Sequence, residues 1–103
     1  MRTWEQASAG DLLRGEVISL ILLDHPQLEE FLFHPSEARL RETPDQILKL
    51  SKSFSSGEQV LLRVALDIWS GTGDAKVSHL LRVLDEQSLV NVLNGLRFLV
   101  DRN

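Results

Sequence analysis

Three groups of residues in this sequence have types and spacings with chemical meaning: a Ser-Gly-Glu run at Ser55–Gln59, a glycine-rich stretch at Gly71–Lys76, and the histidines His25, His34 and His79. A helix opening at Ser55-Ser56-Gly57-Glu58 would present free backbone N–H groups and a positive dipole end, both of which attract anions. Gly71-Thr72-Gly73-Asp74-Ala75-Lys76 carries the first two glycines of a phosphate-binding fingerprint. Lys76 stands where the third would be, and no strand precedes the stretch. It reads as a helix–helix connection. The histidines lack the i, i+4 spacing and the Cys/His pairing of zinc sites. His25 has Glu29 in reach, but one pair is not a metal site. With no cysteine in the chain, thiol nucleophiles, disulfides and Cys-based metal sites are excluded. The serines lack a G-x-S-x-G elbow. Glu29 and Glu30, like Asp85 and Glu86, are neighbours on different sides of a helix, whereas catalytic carboxylates converge on one substrate. No catalytic, cofactor-binding or metal-binding residue is assigned from this pattern, and no cofactor is expected.

Phe54-Ser55-Ser56-Gly57-Glu58-Gln59, continued by Arg63-Val64-Ala65-Leu66, resembles the signature motif of ABC-type ATPases. There a Leu-Ser-Gly-Gly-Glu-Gln run begins a helix with an Arg-Val-Ala-like continuation, and the helix N-terminus faces a nucleotide γ-phosphate in a partner subunit. Phe54 replaces the Leu, Ser56 replaces a Gly, and no G-x-x-x-x-G-K-[ST] occurs to cradle phosphates. The same letters form a capping box, with Ser55 and Glu58 exchanging hydrogen bonds at the head of an apolar helix. The capping box is the reading adopted.

Positioning these residues falls to helices. Apolar residues from Leu12 to Leu23 predict a first helix over about 11–23. Asp24, followed by Pro26 and Gln27, predicts a capped second helix that ends at His34-Pro35. Ser36 is a candidate cap for a short helix through Leu40. Thr43-Pro44-Asp45-Gln46 is the clearest helix start in the chain. From Val60 to Trp69 nearly every residue is apolar, with Gln59, Arg63, Asp67 and Ser70 on one narrow stripe. A helix apolar on most sides is buried on most sides, and Gly71 ends it in the left-handed conformation. Val77, Leu80, Leu81 and Leu84 predict a further helix, punctuated by Asp85 with Ser88. A last helix over 86–101 follows, with Leu89, Val92, Leu93, Leu96, Leu99 and Val100 as its apolar face. Asn94-Gly95 is a hairpin signal, but 89–100 does not alternate as two strands would, so helix is preferred.

The expectation is therefore an all-α fold: one domain over 1–103, a compact bundle of five or six short helices around a central buried helix at about 57–70. Its expected core is Leu61, Leu62, Ala65, Leu66, Trp69, Leu80, Leu81, Leu84, Leu89, Leu93 and Leu96. Trp4 is expected to clamp the N-terminal residues to that core. Asn91, Asn94, Gly95 and Phe98 fall on the polar side of the last helix, where a small residue and an aromatic suggest either a contact surface or a contact within the fold.

The chain has 103 residues, 43% of them hydrophobic, and a net charge of −4. Its acidity disfavours nucleic-acid binding. No signal peptide and no membrane-length apolar run is read, so a cytoplasmic protein without membrane association is expected. The leading functional expectation is a non-catalytic protein-interaction or regulatory module, with a protein partner or self-association. One alternative is a DNA-binding regulator using a helix-turn-helix-like pair over 77–101. Another is an enzyme whose site assembles from scattered residues.

Overall fold

A computed structural model describes Trp4 and residues 6–102. Local signals in the sequence set most of its element boundaries. Ser8 caps α1 (Ala9–Ile21), its hydroxyl accepting from the Asp11 N–H. Thr43 does the same for the Gln46 N–H at the head of α3 (Pro44–Leu50), which continues into a 3-10 turn at Ser51–Ser53. Ser55 and Glu58 form the expected capping box at the head of α4 (Ser56–Ser70), and Gly71 closes that helix at φ 71°. Asp85 accepts from the Ser88 N–H at 2.7 Å, where α6 (Glu86–Arg102) begins.

Two boundaries differ from expectation. α2 (Pro26–Leu32) has His25 at its N-cap, with no side-chain cap bond. Asp24 instead turns its carboxylate to the Asn91 side-chain amide at 2.9 Å. No helix forms over 36–40. The His34 Nδ1 accepts from the backbone N–H groups of Ser36 and Glu37, and an isolated bridge joins Phe33 to Leu40. Side-chain acceptance of those amides offers the backbone an alternative to helix.

The described residues fold as an all-α bundle: six α-helices, no named strand and a radius of gyration of 12.7 Å. That radius is what a compact chain of this length has, about 13 Å. α4 is the central helix, packed against α1, α2, α3 and α5. Its Leu61, Leu62, Ala65 and Leu66 are fully buried, as expected. α1 is nearly as central, lying between α4 and α6, and its contact with α6 is the most extensive in the molecule. The rings of Trp4, Phe33 and Trp69 meet edge to face, with centroids 5.0 to 5.5 Å apart. They tie the N-terminal segment to the ends of α2 and α4. Offset geometry of this kind adds to simple burial.

The core departs from expectation at its C-terminal side. Leu80, Leu84 and Trp69 are partly buried against it. Leu81 is 65% exposed, Leu93 57% and Leu96 40%. α5 (Val77–Val83) buries none of its residues fully. α6 is a helix, not a hairpin, but it is turned so that Ser88, Asn91, Val92 and Gly95 are buried.

Candidate functional site

The two anion-attracting features of the sequence are both filled from within the chain. At the head of α4, the Glu58 carboxylate accepts from the Ser55 N–H at 3.0 Å and from the Gln27 amide at 3.4 Å. The Ser55 hydroxyl takes the Glu58 N–H. The bonds from Ser55 hold the Glu58 carboxyl below its ordinary range. A carboxylate thus sits where an anionic ligand would bind.

The glycine-rich loop is organised in the same way. Asp67, on the polar stripe of α4, accepts from three successive amides: Gly73 at 2.7 Å, Asp74 at 3.0 Å and Ala75 at 2.8 Å. Arg63, one turn earlier, donates to the Gly73 carbonyl at 3.0 Å. A Cβ on residue 73 would overlap the Arg63 carbonyl oxygen, so glycine is required for the close approach. The loop is an amide nest of the kind that binds phosphate, but its anion is Asp67.

The histidines are dispersed. His34 closes the 34–37 turn, and among the described residues no group of three or more His, Asp or Glu could hold a metal ion. Carboxyls held below their ordinary range sit at local caps or ion pairs, not in a cleft. Glu37 is held there by Arg39, Glu58 by Ser55 and Asp85 by the Ser88 amide. An apolar cleft of about 360 Å³ lies beside Leu12 and Leu20 of α1, Leu23 just beyond its end and Phe98 of α6, with Glu16 and Ser19 its polar lining.

The candidate contact residues on α6 are placed mostly inward. Asn91 is 3% exposed. Its amide donates to Asp24, and its carbonyl oxygen accepts from Gln87 at 3.1 Å. Gly95 lies against α1 so closely that a Cβ would stand 2.6 Å from Ile21 Cγ1 and 3.1 Å from the Val17 carbonyl oxygen. Phe98 is half-buried, with Arg102 stacked over its ring at 4.6 Å. Asn94 faces solvent. Asn91, Gly95 and Phe98 therefore make their contacts within the fold. For a DNA-reading α5–α6 pair, the buried Asn91 is out of reach of a base edge.

Turning this face inward turns another outward. Leu89, Leu93, Leu96 and Val100 recur at spacings of four, three and four, which places them in one row along the helix. Leu89 is half-buried, while Leu93, Leu96 and Val100 are exposed, Val100 by 72%. Val90, also exposed, borders the row with Glu86 and Arg97. Sequence reasoning placed Leu89, Leu93 and Leu96 of this row in the core. The signal that would have corrected it is the wealth of apolar residues on 89–100, too many for one stripe, beside small residues at 88 and 95 that let a neighbouring helix approach. Among the described residues no helix is long and apolar enough to cross a membrane. No family model, curated protein or solved structure matches the chain.

Proposed function

We propose that this chain is a small non-catalytic interaction module whose docking surface is the outward row of α6. The observation that carries the reading is the row itself: four branched aliphatic side chains in a 4-3-4 repeat, three of them exposed, on a helix already anchored to α1 by its other side. That anchoring matters. The helix need not rotate or unfold to present the row, so docking a second apolar surface there costs little ordering. The chemistry of the row suits an apolar helix face and not a phosphate backbone, which calls for clustered Lys and Arg. Arg97, Asn94 and Glu86 supply a polar rim of the kind that borders interface cores.

The test is affinity capture by the full chain from its own cells, wild type beside Leu93→Asp with Leu96→Asp. Both positions face solvent, so the variant is expected to keep its helical circular dichroism and melting curve. Specific loss of the proteins retained by the wild type supports the reading. Retention of the same proteins by the folded variant overturns it.

A further inference from the structure

A pocket of about 340 Å³ opens between α3, the 3-10 turn and α4, with no described residue of α6 in its lining. Lys49 near the end of α3, Lys52 in the turn and Arg63 on the polar stripe of α4 bring three cationic side chains to it. Asp45 is the one carboxylate among the described residues of the lining. The pocket thus carries a surplus of positive charge in a chain whose net charge is −4. The internal groups that would otherwise neutralise such cations are already engaged. Ser51 closes the end of α3: its N–H donates to the Ile47 and Lys49 carbonyls, and its buried hydroxyl donates to the Leu48 carbonyl at 2.8 Å. The Gln59 amide donates to the Lys52 carbonyl at 3.3 Å and to the Phe54 carbonyl at 2.8 Å. The lysines are therefore not needed as hydrogen-bond caps of the helix end. Among the described residues, the cations found in ion pairs are Arg14, His34, Arg39 and Arg97. Lys49, Lys52 and Arg63 are not among them, and Lys49 stays apart even from Asp45, one turn earlier on the same helix. Arg63 is held in place by its bond to the Gly73 carbonyl, which leaves most of its five donors free. The carboxylate of Asp67, one turn on, is engaged by the loop amides.

We infer that this pocket binds a small phosphate monoester that carries hydroxyl groups. At neutral pH a phosphate ester brings about two negative charges and three strong acceptor oxygens, which match two ammonium groups and a guanidinium fork. A cleft dominated by one sign of charge concentrates ions of the other. The remaining polar groups of the lining are acceptors. Asp45 is a carboxylate, and Gln59 has its amide nitrogen on the Lys52 and Phe54 carbonyls and its side-chain oxygen open. Both suit hydroxyl donors on the rest of the ligand. The volume stands at the low end of small-molecule pockets, which fits a molecule the size of a sugar phosphate. This site is independent of the α6 row and stands without the interaction reading.

The test is a titration of the full chain followed by amide nuclear magnetic resonance, at constant ionic strength so that general screening does not change. The probes are glucose 6-phosphate, inorganic phosphate, inorganic sulfate and glucose. Glucose 6-phosphate should give saturating shifts centred on the amides of residues 48–52, 59 and 63, and glucose should give none. Lys49 and Lys52 are exposed, so Lys49→Gln with Lys52→Gln should keep its helicity and melting curve while binding weakens more than about tenfold. Inorganic phosphate should bind at the same amides but more weakly than the ester, and Asp45→Asn should narrow that margin. Shifts that never saturate, that scatter over the surface, or that persist undiminished in the folded lysine variant would overturn the site. Sulfate binding as well as glucose 6-phosphate would reduce it to an adventitious anion site and overturn the inference. Equal affinity for inorganic phosphate and the ester would overturn the assignment to a hydroxylated ester.

Discussion

Asp67 satisfies three backbone amides with one carboxylate, and Gly73 makes the approach possible. Asp67→Ala leaves part-buried N–H groups without an acceptor, and each such loss costs on the order of 1–3 kcal/mol. The variant should unfold at lower denaturant, with faster amide exchange at Gly73, Asp74 and Ala75. Gly73→Ala should be at least as damaging, since a Cβ there meets backbone, which cannot rotate aside. The capping carboxylates set a pH dependence. Glu58 and Asp85 are held below ordinary values of 4.5 and 3.8 by hydrogen bonds to Ser55 and Ser88. The folded state therefore binds fewer protons than the unfolded one in this range. The stabilisation is fully present above the unfolded values and is lost as pH falls through the lower, folded ones. Thermal melts between pH 5 and pH 3 should show this loss, and Glu58→Gln with Asp85→Asn should flatten it.

At the scale of elements, what is encoded within one turn was readable from the chain. Thr43, Ser55 and Gly71 act where their neighbours in sequence require, because a cap bond spans three residues. Asp24 did not follow that rule, since its carboxylate is taken by Asn91, 67 residues away. Residues 36–40 escaped the helix because His34 claims two of its amides. The rotation of α6 was the least legible feature. Its leucine row is the more hydrophobic face, yet Ser88 and Gly95 let α1 come closer on the other. The fit of Gly95 to Ile21 and Val17 is a property of two helices, visible in neither alone. Gly95→Leu should force α6 off α1 and destabilise by about 1–3 kcal/mol or more, read as a lowered melting temperature and loss of helicity.

The whole molecule depends on α4 and α1 as a shared core. Leu66 is fully buried in α4, and Leu66→Ala should cost about 2–5 kcal/mol, a large share of a domain's typical stability. The all-α class and the central helix followed from composition and periodicity. The candidate site did not, because it exists only once the fold has decided which face of α6 is spent on α1. The measurement that bears most directly on this arrangement is the thermal unfolding of Leu93→Asp, made dilute enough that any self-association is absent. With Leu93 facing solvent, its stability should stay within about 0.5 kcal/mol of wild type. A loss of several kcal/mol, as burial of an unpaired charge would bring, would mean that the leucine row is core and the orientation of α6 is wrong.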